Sequence, residues 1–331
     1  MSLLLPAQNK MGKIIRIGTR ESELAVWQAT QVKNLLLQYG YETELVYIKS
    51  EGDIDLSTPL YEMGVQGVFT RSLDSALLNN KIDIAVHSMK DVPTQLPKGI
   101  IQAAVLKRGP VKDLLVLKNE LSVMSDKLGF VNGEWSIVNS ESSPLTVATS
   151  SIRRKAQWLH RYPTSVVENL RGNVNTRLRK LKEEKWDAAI FAAAGLERIN
   201  LRPENSIELD WMLPAPAQGA VMVVCREEDA YALEACVEFN DADTAFCTKI
   251  EREFLRALLG GCSTPISAYA EVLDEEIHFR GNIFSLDGKE KVEYENTVSI
   301  PDAAHLGLEA AEEVLSLGGQ AIADSIKNAG K

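Results

Sequence analysis

Cysteine is scarce in this chain. Cys225, Cys236, Cys247 and Cys262 are the only four in 331 residues, and no two form a CxxC pair. That argues against a disulfide framework and against a structural zinc site. His87, His160, His278 and His305 are just as scattered, so no metal site is expected. No apolar run approaches the roughly 18 residues that span a bilayer. The short stretch Leu3-Leu4-Leu5 stops at Pro6 with no basic flank before it, unlike a secretory signal. A cytoplasmic protein with no membrane partner is therefore expected. There is no GxxxxGK[ST] loop, and Gly64-Val65-Gln66-Gly67 is not a dinucleotide fingerprint. The net charge of −10 disfavours nucleic acid as a partner, because phosphate attraction supplies most nonspecific affinity.

What is present is an ordinary globular composition, 45% hydrophobic and 25% charged, enough for several cores. Length alone predicts two or three domains. Residues 13–19 read as a strand, 22–39 as a helix, 41–50 as a strand, 69–79 as a helix and 82–87 as a buried strand. The order recurs at 145–149, 151–161, 165–168, 173–185 and 186–192. KIDIAV at 81–86 and KWDAAI at 185–190 each follow a helix, and RIGTRES loosely echoes TVATSSI. An internal duplication follows as an expectation. Residues 118–143 interrupt the pattern as a surface insertion, and 214–218 form a proline-rich hinge. A strand at 220–226 then returns to the first domain.

The last part is different. An amphipathic helix at 244–259 precedes strands at 266–273, 276–285 and 291–300, with turns at Asp274 and Asp287-Gly288. One long helix from about residue 301 closes the chain. The expected fold class is α/β: two similar α/β domains and a C-terminal α+β domain with a three-stranded antiparallel sheet. The expected boundaries are 13–109 with 219–240, then 110–214, then 243–331.

Three segments put small polar residues and arginine where a strand gives way to a helix. They are Thr19-Arg20-Glu21-Ser22, Thr149-Ser150-Ser151-Ile152-Arg153-Arg154 and Arg171-Gly172-Asn173-Val174-Asn175-Thr176-Arg177. Free backbone N–H groups and the helix dipole favour an anion there. Guanidinium adds a fork that fits carboxylate or phosphate. One such segment alone would be a solvated helix start. Three of them beyond strand ends predict one basic cleft in an acidic chain. With no phosphate loop, a ligand bearing several carboxylates is expected.

Two further segments carry possible chemistry. His87-Ser88-Met89-Lys90-Asp91-Val92-Pro93 follows a buried strand. Asp91 there could hold a cationic intermediate or move a proton, or the segment could be a turn ended by Pro93. His87 reads as a core residue at the strand end. Gly260-Gly261-Cys262-Ser263-Thr264-Pro265 displays a thiol on a loop. Cys262 is either an inert thiol or a nucleophile and attachment point.

Taken together, 16–28 (RIGTRESELAVWQ), 82–93 (IDIAVHSMKDVP), 149–154 (TSSIRR), 170–177 (LRGNVNTR), 194–198 (AGLER) and 251–265 (EREFLRALLGGCSTP) resemble the porphobilinogen deaminase family, in the family's order. The resemblance runs from Ile14 to the C-terminal helix. It implies three domains, the first two like periplasmic solute-binding domains with the active cleft between them. It also implies a reaction: four porphobilinogens joined head to tail into linear hydroxymethylbilane, with release of ammonia. The implied cofactor is a dipyrromethane primer, attached through a thioether to Cys262.

By motif match Asp91 is the catalytic residue. Ser88, Lys90, Asp91, Thr149, Ser151, Arg153, Arg154, Arg171 and Arg177 would hold the cofactor and the growing chain. Arg16, Thr19, Arg20, Ser22, Arg198 and Gln218 would meet the substrate. Each porphobilinogen carries an acetate and a propionate, so the chain accumulates carboxylates. Each charge-assisted contact contributes about 1.5–3 kcal/mol. The family also implies a monomer.

Three features depart from the family's pattern. Glu62 and Gln66 stand where relatives often carry lysine, Ala217 stands where glycine is often seen, and the insertion at 118–143 is longer than usual. The competing class is a solute-binding protein for a polyanion.

Overall fold

The computed structural model describes residues 12–49, 70–118, 128–131, 134–137, 144–258 and 264–329. Cys262, and the loop carrying Glu62 and Gln66, lie outside the described residues. So does most of the 118–143 insertion, of which the hairpin β6 (Leu128–Val131) and β7 (Glu134–Ile137) is described.

The first sheet begins with β1 (Ile15–Thr19), α1 (Glu23–Gln38), β2 (Thr43–Tyr47), α2 (Arg71–Leu78) and β3 (Ile84–Ser88). Strand β4 (Ile100–Val105) and the late strand β12 (Val221–Arg226) complete it, in the order β2-β1-β3-β12-β4. The second sheet comprises β5 (Asp113–Leu117), β8 (Thr146–Ala148), β9 (Val166–Glu168), β10 (Ala188–Ala192) and β11 (Ser206–Glu208). Its order is β11-β5-β10-β8-β9, with α3 (Ile152–Arg161), α4 (Val174–Glu183) and α5 (Ala193–Glu197) between strands.

Read from opposite ends, the two orders are the same. Three parallel strands (β2-β1-β3 and β9-β8-β10) are followed by an antiparallel strand, β12 or β5, and then by β4 or β11. The KIDIAV and KWDAAI echoes lead into equivalent central strands, β3 and β10. Strands β3, β5 and β12 are buried at nearly every residue. A strand covered on both faces reads as a continuous apolar run rather than an alternation. Each sheet accordingly has an apolar cluster on both faces.

The remainder is α6 (Ala230–Val237), α7 (Ala242–Leu258), β13 (Ile266–Leu273), β14 (Glu276–Phe284), β15 (Lys291–Ser299), α8 (Leu306–Val314) and α9 (Gln320–Ala329). The antiparallel sheet β13-β14-β15 packs one face on α7 and α8. Its first turn uses Asp274 and Glu275, both at positive φ. The closing helix is not continuous, contrary to the sequence expectation. A 3-10 segment (Ile300–His305) precedes α8, and Gly318 at φ 110° breaks the chain before α9. Glycine pairs are a recognised cause of sharp helix kinks. Helix α6 and strands β4, β5 and β11 were not anticipated.

Two segments connect the sheets, and they run side by side. Gly109 N–H donates to the Gly219 carbonyl at 3.0 Å. Gly219 has φ +86°, and a Cβ there would lie 2.7 Å from the Gly109 oxygen, so only glycine fits the crossing. Ala217 adopts φ 61°, the left-handed conformation that glycine takes at no cost. Glu251 of α7, fully buried, fastens the third unit to this crossing. It accepts Arg108 through both oxygens (2.6 and 3.0 Å) and the backbone N–H groups of Ala217 (2.6 Å) and Ala270 (2.8 Å).

Candidate functional site

A cavity of about 200 Å³ opens beyond the carboxyl ends of the parallel strands of both sheets. From the first sheet come Arg20, Ser22, Gln28, His87, Ser88, Lys90 and Asp91; from the second come Arg154, Arg171, Asn173, Asn175 and Arg177. Five cationic side chains (Arg20, Lys90, Arg154, Arg171 and Arg177) therefore face two carboxylates, Glu23 and Asp91. The three helix starts expected to bind anions converge here. Two of them cap themselves: Ser151 accepts from Arg154 N–H, and Asn173 accepts from Thr176 N–H. Helix α1 has no side-chain cap at Ser22, so its first turn faces the cavity with its N–H groups open.

Burial, and after it the crowding of positive charge, shifts the titration of these groups. Burial, reinforced by Arg154, lowers Lys90 to about 8, with Asp91 and Asp113 opposing. Burial and Arg154 likewise lower Arg177 to about 10. Burial next to Arg20 pushes His87 down to about 4, so its imidazole is neutral at pH 7. Glu23 is engaged, accepting from Asn175 Nδ2 across the cleft at 2.8 Å. Among the described residues, the Asp91 carboxylate holds no hydrogen bond or ion pair. It is the open acceptor in a ring of cations.

The remaining expected site residues lie behind this lining. Arg153 is 4% exposed and points away from the cavity. It binds Asp113 (2.6 Å) and the Leu213 carbonyl (2.6 Å). Asp113 also takes Arg154 (2.7 and 3.2 Å) and Gln218 Nε2 (2.9 Å). Gln218 accepts Lys90 Nζ at 3.2 Å, so one hydrogen-bonded line joins the Lys90 loop of one half to Arg154 of the other. Arg198 donates to the Gly219 carbonyl at 2.6 Å and stacks 5.4 Å from the Trp27 ring, and burial lowers it to about 10. Thr149 Oγ accepts from Ser151 N–H at 3.2 Å. Thr19 is fully buried and donates to the Arg20 carbonyl at 3.2 Å.

Arg16 is not at the cavity. It sits at the other end of β1, where it binds Asp83 (2.9 Å) beside Lys13 and Arg226. The structure adds Gln28 and Asp113 to the site, and it brings Asn173 and Asn175 of the third helix start into the lining beside the arginines. Gln28, which donates to Ser88 Oγ at 2.8 Å, was signalled by its polarity on the buried face of α1. Asp113 was signalled as an acid opening an otherwise apolar strand, DLLVL.

The approach of the third unit is also defined. Arg252 of α7 donates to the carbonyls of Val92 (2.9 Å) and Pro93 (2.6 Å), gripping the loop that presents Asp91. Six residues further along, this helix leads into the segment containing Cys262.

The family model described as porphobilinogen deaminase, dipyromethane cofactor binding domain matches residues 15–234, and that of the porphobilinogen deaminase C-terminal domain matches 245–316. The chain belongs to the porphobilinogen deaminase family. Porphobilinogen deaminases of Trichlorobacter lovleyi and Pelobacter propionicus are each 39% identical to it, covering 95% and 94% of this chain and 97% of each relative. That of Syntrophotalea carbinolica is 39% identical over 93% of this chain and 94% of its own. Among solved structures, the methionine-binding protein MetQ aligns with 70% of this chain and 91% of its own at 14% identity, with a TM-score of 0.41.

The residues present fit a dipyrromethane, the group named in the family description. The cavity supplies guanidinium forks for its carboxylates and one uncommitted carboxylate for its pyrrole N–H groups.

Proposed function

We propose that this chain is a porphobilinogen deaminase (hydroxymethylbilane synthase), a transferase of tetrapyrrole biosynthesis. It joins four porphobilinogens head to tail into linear hydroxymethylbilane and releases ammonia at each addition. Its primer is a dipyrromethane held by a thioether to Cys262. It works as a cytoplasmic monomer built of units 13–109 with 219–240, 110–214 and 243–331. The observation that carries this reading is Asp91, an unengaged carboxylate inside a ring of five cations between the two sheets.

When bound, the dipyrromethane supplies the pyrrole carbon to which the first substrate unit is joined. The chain's own residues do the rest. Asp91 accepts pyrrole N–H groups and offsets the positive charge that develops as ammonia departs. It also assists the movement of the pyrrole proton. Arg154, Arg171, Arg177, Lys90 and Ser88 hold acetate and propionate groups of primer and chain. Arg20, Ser22 and the open first turn of α1 receive carboxylates of the incoming unit. Arg153, Thr149, Ser151, Arg198 and Gln218 act from behind, by fixing Asp113, the helix start and the crossing segments.

Incubation with porphobilinogen tests the reading. Release of ammonia together with a linear tetrapyrrole is expected. Binding without turnover would instead favour a solute-binding protein for a polyanion.

A pH dependence follows from Lys90. Its folded value lies near 8, below the usual lysine value. A bound carboxylate favours the charged form, so binding takes up a proton as pH approaches and passes 8. The apparent KM for porphobilinogen should therefore rise on the alkaline side of about 8, and Lys90→Met should remove that rise. An unchanged alkaline limb in Lys90→Met would remove Lys90 from carboxylate binding.

A further inference from the structure

No hydrogen bond or ion pair among the described residues fixes the Asp91 carboxylate, so the backbone of its loop decides where it stands. The loop leaves β3 as a single 3-10 turn (Met89–Asp91) and continues through Val92 to Pro93. It is stiff. Proline fixes its own φ, and the residue before it is confined to extended backbone, as Val92 is at φ −87° and ψ 128°. Met89 and Val92 are buried in the apolar cluster that also holds Ala217, Ala220 and Met222. A stiff loop moves as a unit, and the contacts along it set the position of its one free carboxylate.

One side of the loop is held by the crossing segment. Met89 N–H donates to the Ala220 carbonyl at 3.0 Å, and Lys90 Nζ donates to Gln218 Oε1 at 3.2 Å. The other side is held by the third unit. One terminal nitrogen of Arg252 donates to the carbonyls of Val92 (2.9 Å) and Met89 (3.4 Å), and the other to that of Pro93 (2.6 Å). A single planar fork therefore takes carbonyls on both sides of Asp91. A lysine ammonium is a point charge on a flexible stem and does not reproduce that fork. Helix α7 is itself fixed where Arg252 leaves it. The preceding residue, Glu251, is fully buried and takes Arg108 and the N–H groups of Ala217 and Ala270. Ala245, two turns earlier, packs on the same apolar cluster as Met89 and Val92.

We propose that Arg252 is a positioning residue for the Asp91 carboxylate. The proposal rests on the role given to Asp91 above. Arg252 is not part of the cavity lining and acts only through the loop. It holds the carboxylate at the place where it meets pyrrole N–H groups. The third unit, whose sequence carries Cys262, thereby also sets where the acid–base group stands.

Steady-state kinetics of Arg252→Met and Arg252→Lys, each alone and combined with Asp91→Ala, test this, with rates referred to the primer-loaded fraction read by intact mass. Arg252→Met should lower kcat by about 10²-fold, the cost of displacing a reacting group by about 1 Å. KM for porphobilinogen should change little, because the carboxylate-binding arginines are untouched. Arg252→Lys should recover part of the loss. In the Asp91→Ala background Arg252→Met should cost nothing further, since no carboxylate is left to place. Lys249→Met, an exposed change on the same helix, should leave kcat at the wild-type value. If Arg252→Met fails to fold, Arg252→Lys with and without Asp91→Ala carries the same comparison. An unchanged kcat in folded Arg252→Met, a change confined to KM, or a further loss of the same size in the Asp91→Ala background would each overturn the proposal. A wild-type rate that Asp91→Ala leaves unaltered would overturn the reading beneath it, and the proposal with it.

Discussion

Asp91→Ala is expected to lower turnover of porphobilinogen by about 10²–10⁴-fold, the range over which a positioned acid–base group contributes, while the protein stays folded. The size of the effect follows from the surroundings. Lys90 and Arg177 both feel Asp91 as a charge that raises their own affinity for protons, so it stands among them as the counter-charge. It has no structural partner to lose among the described residues. Its removal should therefore leave the unfolding midpoint close to that of the wild type. Asp91→Asn keeps the shape and removes the charge, so it should be impaired nearly as much if electrostatic stabilisation dominates. Paired kcat and melting measurements check this. A variant within about fivefold of the wild-type rate would remove Asp91 from the chemistry.

Asp113→Ala should fail in the opposite way, through stability. Asp113 is fully buried and holds Arg153 and Arg154, themselves 4% and 5% exposed. Removing one member of a buried ionic cluster leaves uncompensated charge and costs about 3–5 kcal/mol. Burial by itself would raise the Asp113 carboxyl, but Arg153 and Arg154 outweigh it and hold it well below the usual carboxylate range. A depressed folded value stabilises the protein at pH above the unfolded carboxylate value, about 4, and that stabilisation is lost as pH falls below it. Denaturant titrations at neutral and acid pH should show wild type losing stability on acidification more steeply than Asp113→Asn. Equal acid sensitivity would contradict the ionic role. The line Lys90–Gln218–Asp113–Arg154 also predicts that Asp113→Asn changes the alkaline limb assigned to Lys90, since Asp113 opposes the lowering of that lysine.

Much of this site could be read from local sequence, because helix starts and strand ends obey local rules. The cations of three separated segments reach one cavity, although the side-chain cap is found at Ser151 of α3 and not at Ser22 of α1. What local reading could not do was sort the arginines. Arg153 and Arg154 are neighbours in the chain, yet the first turns inward to Leu213 and Asp113 and the second lines the cavity. Arg16 sits in a matching motif but at the wrong end of its strand. Which face a guanidinium takes depends on buried acids elsewhere in the chain, here Asp83 and Asp113. Strand β5 escaped notice for a related reason: it lies antiparallel in the middle of a sheet otherwise built from strand–helix repeats. The helical periodicity of the C-terminal segment continues across the kink at Gly318, so the pattern of apolar residues does not mark the break.

The central claim is that a carboxylated dipyrrole is bonded to Cys262 and gripped by guanidinium groups of both sheets. Intact-mass spectrometry of protein produced with its monomer available measures this directly. The wild type should carry an adduct of two pyrrole units that is absent from Cys262→Ser, and Arg154→Leu should show incomplete loading. A wild-type chain with the bare polypeptide mass, or an adduct that persists in Cys262→Ser, would contradict the account.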